Sequence, residues 1–380
     1  MNKILAVFVS IVTLFSGVFF GTGFEDIDPG DQEQVKNVIL FIGDGMGDNH
    51  LELTKQMLGI DLAMDTFPYR GHSKTRSMTG ITDSAAGATA LSCGVRTEDS
   101  YVGVYWLDPL MTYSVPTNIT EIAHSHGMRT GVVTTDTVTG ATPSGFTVHV
   151  KSRDDKEDIM AQQIRSYVDI LWGGCDQRFN KATAEANGFT VVENKDEMDA
   201  LENGTKTFGQ FSGEMWNTTT GTDAPTLSQM TEKAISLLDN DENGFFLMVE
   251  GAHIDKHADD NDADKTVLAV QELDKAVAVA LDFAKNDGNT MVVVTADHET
   301  GGLVEKNGTY KFTTKQHTLK NVPLLVYGSN SFIANGDAIS NIMVPRKIAA
   351  SLGFDNSEFT NAMGMRPRAL VDDRKLSLAA

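Results

Sequence analysis

The chain has 380 residues, 41 % of them hydrophobic and 22 % charged, the composition of a globular protein able to bury a large core. Its formal net charge of −21 disfavours binding to a nucleic-acid backbone. Only Cys93 and Cys175 are present, so a disulfide framework is excluded and one bridge or two free thiols stay open.

Residues 1–24 place Lys3 before an apolar run that ends at Phe20, the pattern of a secretory signal peptide. The mature protein is therefore expected to be secreted or periplasmic, without stable membrane insertion; a retained N-terminal anchor is the alternative. Residues 25–34 read as an acidic linker and 35–380 as a single domain.

Residues 35–41 form an apolar run that leads into Gly43-Asp44-Gly45. The same form recurs at 245–249, ending in Glu250-Gly251, and at 291–295, ending in Asp297-His298. Continuous apolar runs suit strands buried on both faces of a parallel sheet, and each run delivers acids at its carboxyl end, where open α/β sheets place their sites. Helical patterns lie between them at 118–126, 153–168, 226–238 and 262–285, with further strands at 129–135 and 322–327. The alternation predicts a doubly wound α/β fold with a mostly parallel central sheet and helices on both faces. Residues 189–213 read as a less regular peripheral segment.

The stretch 82–94, TDSAAGATALSCG, reads as a short helix with Thr82 and Asp83 as start signals and Gly94 as the stop. Ser84 then sits in the first turn, beside unpaired backbone N–H groups and the positive end of the peptide dipoles, where an anion is favoured. In isolation the stretch is equally an Ala-rich core helix. The other chemistry-bearing residues in chain order are Asp44, Glu250, Asp255, Asp297, His298 and His317. Carboxylate oxygens with imidazole nitrogens suit an open catalytic zinc site, and extra carboxylate and hydroxyl oxygens suit magnesium.

These pieces resemble the alkaline phosphatase family. The matching segments are NVILFIGDGMG (37–47), TDSAAGATALSCG (82–94), ATP (141–143) with HVKSR (149–153), VEGAHID (249–255), TADHETGG (295–302) and QHT (316–318) with VPL (322–324). The resemblance implies a catalytic domain that hydrolyses small phosphate monoesters through a phosphoserine on Ser84, with two zinc ions and one magnesium ion, in a homodimer. It further implies that Asp44, Asp297 and His298 hold the first zinc and that Asp255 and His317 hold the second. By the same resemblance Asp44, Thr142 and Glu250 hold magnesium, and Arg153 clamps the phosphate.

Two positions depart from the family pattern. A His is usual four residues after Asp255, where this chain has Asp259; i and i+4 share a helix face, so Asp259 is the expected ligand and His257 the rival. Gly140, two residues before Thr142, stands where the family usually has Asp or His, and Lys256 matches a variant whose Lys reaches the phosphate through water. Competing readings are a related phosphodiesterase, a secreted metal-binding relative with impaired catalysis, and a calcium loop on the pattern of Asp239, Asp241, Asn243, Gly244 and Glu250.

Overall fold

The structure is a computed structural model that describes residues 34–107, 112–213, 215–216, 223–239, 242–329 and 332–359. The signal-peptide reading, almost all of the linker and Asp241 lie outside the described residues. Among the described residues no helix is long and apolar enough to cross a membrane.

The apolar runs become strands as their composition dictates. Strand β1 is Asn37–Gly43, β2 Tyr69–Lys74, β3 Arg129–Thr137, β4 Ile170–Gly174 and β5 Thr190–Val192. Strand β6 is Thr207–Phe211, β7 Phe245–Gly251, β8 Thr290–Thr295, β9 Val322–Tyr327 and β10 Ala338–Ser340. Together they make one sheet in the order β10-β2-β9-β8-β1-β7-β3-β4-β6-β5. Strand β9 pairs antiparallel with both neighbours, and the remaining pairs are parallel.

Every residue of β1, β7 and β8 is buried, and side-chain alternation feeds two cores. Ile39, Phe41, Leu247 and Val294 point into one, Val38, Leu40, Met248 and Val293 into the other. The first core is closed by the helices Leu227–Leu238 and Ala263–Asp287, whose Val270, Leu273, Val277 and Leu281 recur at helical spacing. The second is closed by the helices Ile119–Ser125 and Met343–Ser351 through Ile122, Val344 and Ile348. Each large apolar side chain removed from water in this way contributes about 1.5–3 kcal/mol. The doubly wound α/β architecture is as the alternation of elements predicts.

Three expectations need correction. Residues 189–213 are peripheral as read but more regular than expected, because β5 and β6 extend the sheet at one edge and β6 is fully buried. These strands are short, and Gly209 and Gln210 interrupt the apolar pattern, although a Cβ at Gly209 would lie 2.7 Å from the Trp172 side chain. The helix expected over 153–168 shrinks to Lys156–Gln163, since the Arg153 amide donates 2.8 Å across to the Ser100 carbonyl and so leaves the helical path. Strands β2, β4 and β10 were not expected. Both thiols are free; Cys93 is buried, which pushes its pKa up to about 12, and Cys175 is exposed.

One partly buried ion pair anchors the segment that carries Arg153. His149 Nδ1 donates 2.6 Å to the Gly103 carbonyl, and Nε2 lies 3.1 Å from Glu121 Oε1. Burial works against charge on both groups, but mutual attraction outweighs it, holding His149 above 6.5 and Glu121 below 4.5. The pair's contribution is thus complete between pH 4.5 and 6.5. It fades as pH rises through the raised His149 pKa and as pH falls through the lowered Glu121 pKa. We expect His149→Gln to cost about 1–3 kcal/mol near pH 6. In urea unfolding series the deficit relative to wild type should shrink steadily above that pH; a constant deficit up to pH 10 would remove the charge from the explanation.

Candidate active site

The site begins with a helix start. Asp83 precedes the helix Ser84–Cys93 with extended backbone, and its Oδ1 accepts from the Ala86 amide at 2.9 Å, so one orphan N–H is satisfied. Its Oδ2 accepts from the Ser100 amide at 3.0 Å and pairs with Arg153 Nη1 at 3.1 Å. Arg153 is therefore aimed beside the first helical residue, Ser84, which is buried. The helix closes at Gly94 with φ 63°, as the sequence signals. Gly87 lets this helix lie against the segment after β8, because a Cβ there would sit 2.9 Å from the Asp297 side chain.

The carboxyl ends of three adjacent strands supply the acids. Asp44 follows β1, Glu250 is the penultimate residue of β7, and Asp297 and His298 follow β8. Ser84 Oγ lies 3.4 Å from His298 Nε2, which in turn lies 3.4 Å from Asp44 Oδ1 and 3.2 Å from Asp297 Oδ2. The backbone turns after β8, so Asp297 and His298 converge rather than diverge; Asp297 Oδ1 accepts from the Gly45 amide at 3.2 Å and the His298 amide at 2.9 Å.

A short ladder, Glu299–Thr300 against His317–Thr318, brings His317 back to the same place. The His298 and His317 rings stack with centroids 3.5 Å apart. Asp255 Oδ1 is 3.5 Å from His317 Nε2 and 4.0 Å from His298 Nδ1, and it accepts a short hydrogen bond from the Thr300 hydroxyl. With its proton on Asp255, that hydroxyl accepts from His298 Nδ1–H at 3.2 Å, which leaves Nε2 as the lone-pair nitrogen. His317 Nδ1–H donates 2.8 Å to the Thr82 carbonyl, with the same result.

Electrostatics follow from crowding. Burial first, then Asp297, Asp255 and Glu250, push the Asp44 carboxyl well above its usual range. Burial raises Asp297 to about 6, partly offset by the Gly45 amide and His317. Burial and Asp136 raise Glu250 to about 8 against the hydroxyls of Thr134 and Thr142. Burial and His317 lower His298 to about 3, keeping the imidazole neutral.

These features fit metal ions. Two groups, Asp44 with Asp297 and His298, and Asp255 with His298 and His317, have ligand atoms within 4.8 Å of one another among the described residues. Asp44 Oδ1 and Asp297 Oδ2 are buried yet accept no hydrogen bond there. Buried anions aimed at each other, with neutral imidazole lone pairs among them, are a donor set for a cation.

Asp259 lies one turn beyond Asp255 on the helix His253–Asp259, and its buried Oδ1 accepts no hydrogen bond among the described residues. Burial and Asp255 raise its carboxyl while His317 opposes them. His257 instead lies with its ring centroid 4.4 Å from Trp216. Asp259 and Glu250 stand outside the two tight clusters. The calcium-loop reading fails at Glu250, which is inside a strand and is followed by Gly251 of that strand, not by a helix. Asp83, Thr300 and Thr134 position the site without having been singled out for it; only the adjacency of Asp83 to Ser84 offered a signal.

A family model for alkaline phosphatase matches residues 35–339. Alkaline phosphatase 3 of Bacillus subtilis is 33 % identical across 80 % of this chain and 70 % of its own length. Alkaline phosphatase of Escherichia coli is 32 % identical across 69 % of this chain and 70 % of its own. The solved alkaline phosphatase of the Antarctic bacterium TAB5 superposes with a TM-score of 0.74 at 30 % identity, covering 86 % of this chain and 100 % of that one. A mutant of the TAB5 enzyme has been solved with magnesium bound. Matched over most of its length and carrying this site at the sheet's carboxyl edge, the chain belongs to the alkaline phosphatase family and is a phosphatase.

Proposed function

We propose that the protein hydrolyses small phosphate monoesters through a phosphoserine on Ser84, at a site of two zinc ions and one magnesium ion, releasing inorganic phosphate. The observation that carries the reading is Ser84 Oγ at the helix start, 3.4 Å from His298 Nε2, with Asp44 and Asp297 around the same nitrogen. Asp44, Asp297 and His298 would hold the first zinc, Asp255, Asp259 and His317 the second, and Asp44, Thr142 and Glu250 the magnesium. The family is metal-dependent, and the magnesium in the TAB5 mutant supports an oxygen-ligand site. When bound, such ions neutralise phosphate oxygens and lower the pKa of coordinated hydroxyls and water.

Around them the chain's own groups bind and orient. The planar fork of Arg153 grips two phosphate oxygens, and Asp83 holds that fork in place. The N–H groups of the first helical turn face the same anion. Ser84 Oγ attacks phosphorus and gives up its proton while the departing ester oxygen takes one up to become an alcohol; water then attacks the phosphorus, the Oγ–P bond breaks, the water's proton returns to Oγ, and inorganic phosphate leaves. The same reading takes 35–380 as one catalytic domain, exported behind residues 1–24 to the periplasm or medium and paired as a homodimer; the family resemblance is its support.

Aryl phosphate turnover by wild type and Ser84→Ala, each supplied with zinc and magnesium, tests the reading. Loss of at least ~1,000-fold in Ser84→Ala, with a burst of alcohol in wild type, is expected. Equal rates would refute the nucleophile. A second expectation concerns Asp259, a harder and charged donor in place of imidazole. After dialysis against a mild chelator, Asp259→His should keep a second zinc equivalent that wild type loses, read by metal analysis. Full retention by wild type would remove Asp259 as the weak point.

A further inference from the structure

Gly140 leaves a gap in the side chains beside Thr142, and a carboxylate from another position stands in front of it. The β3 register is irregular between Val133 and Thr137, at the carboxyl edge of the sheet, and Asp136 lies in that interval. A Cβ built on Gly140 would come within 2.9 Å of Asp136 Oδ2 and 3.0 Å of the Thr137 carbonyl. The notch thus has room for glycine because the Asp136 carboxylate already occupies it.

Both ends of Asp136 reach groups of the site. Its Oδ1 accepts from the Thr137 amide at 2.8 Å and pairs with Lys256 Nζ at 2.6 Å. Lys256 is the residue after Asp255 on the helix His253–Asp259, so this ion pair holds a cation one residue from a carboxylate of the site. On the other side the Asp136 amide donates 2.9 Å to the Thr134 hydroxyl, and that hydroxyl donates a short hydrogen bond to Glu250 Oε2. The carboxylate thus meets Lys256, whereas Glu250 is reached through the Asp136 backbone amide and Thr134, so the side chain bears on Glu250 by holding the turn at Thr137. Despite burial, the Lys256 charge holds the Asp136 carboxyl below its usual range, which keeps the pair ionised.

We propose that Asp136 is the positioning residue that stands in for the side chain absent at 140, holding the Lys256 ammonium toward the substrate phosphate and Glu250 toward the magnesium pocket. The inference rests on the phosphomonoesterase reading above and deepens it. An incidental ion pair, with the lysine 43 % exposed, would be worth little, and phosphate affinity would not register its removal.

Equilibrium binding of inorganic phosphate, and the magnesium concentration that half-saturates the thermal stabilisation of zinc-loaded protein, read this role without turnover. Failure here is therefore distinguishable from failure of the Ser84 assignment. Asp136→Ala and Asp136→Asn are expected to weaken phosphate binding about tenfold and magnesium binding ~10–100-fold. Lys256→Ala should give the same phosphate loss, and combining it with Asp136→Ala should add little, since one contact is removed twice. Gly140→Asp alone should impair both, because two carboxylates then compete for one notch. The double variant Asp136→Ala with Gly140→Asp should recover phosphate and magnesium affinity to within about threefold, since a carboxylate has only been moved. Unchanged affinities in Asp136→Ala, full additivity with Lys256→Ala, or a folded double variant with no recovery would each overturn the proposal.

Discussion

Buried negative charge at one edge of the sheet is the constraint around which the rest of the molecule is arranged. Asp44, Glu250 and Asp297 leave neighbouring strands in the order β8-β1-β7, so the parallel register itself forces them together. Each is held above its usual pKa, first by burial, to which neighbouring acids add for Asp44 and Asp136 adds for Glu250, while the Gly45 amide and His317 partly offset it for Asp297. Without added positive charge such a cluster opposes folding, because desolvating carboxylates is costly and their repulsion is poorly screened away from water. The apolar alternation of β1, β7 and β8 into two cores offsets that strain. A binding edge of this kind can exist only on a sheet sealed on both faces.

The helix that starts at Ser84 solves a second problem, that of bringing an anion-loving end to an anionic rim. The positive end of its dipole and Arg153, whose charge lowers the Asp44 carboxyl, supply positive potential to that rim. Asp83 links these two elements: one oxygen caps the helix and the other holds the guanidinium. A single short side chain therefore couples the entry angle of the helix to the position of the phosphate clamp. Gly87 completes the geometry by letting the helix approach Asp297 at backbone range. The approach would fail with any larger residue, which makes the small-residue composition of this stretch a packing requirement as much as a helix signal.

How legible each part was in the sequence depended on how local its cause is. Strands β1, β7, β8 and β9 announce themselves as continuous apolar runs, and Ser84–Cys93 by its cap and its glycine stop. Strand β2 was invisible because its exposure alternates irregularly along Tyr-Arg-Gly-His-Ser-Lys at the side of the sheet, and β5 and β6 because they are brief and carry Gly and Gln. The motif residues of the site were legible as a set through family resemblance. Their supports were not: Thr300 acts across a gap of 45 residues to Asp255, and Asp136 across 120 to Lys256. Such pairs exist only after the sheet and the helix His253–Asp259 are assembled. No periodicity in the chain encodes them.

The two departures from the family pattern have different physical consequences. At Gly140 the Asp136 carboxylate lies against the glycine and pairs with Lys256, so an acid stands there without a side chain at 140. At Asp259, where the resemblance leads one to expect an imidazole, a carboxylate adds negative charge next to Asp255 in a partly buried place. The raised Asp259 carboxyl records that cost, and His317 repays only part of it. On the proposed reading each pocket offers two carboxylates and one imidazole, Asp44, Asp297 and His298 in the first and Asp255, Asp259 and His317 in the second, and protons compete with a cation in both, because burial raises Asp44, Asp297 and Asp259 alike. Because Asp255 is shared between His298 and His317, a weaker cation in the second pocket would also change the field felt at His298 Nε2. Any metal preference set by Asp259 is thus transmitted, through one carboxylate and two stacked imidazoles, to the nitrogen nearest Ser84.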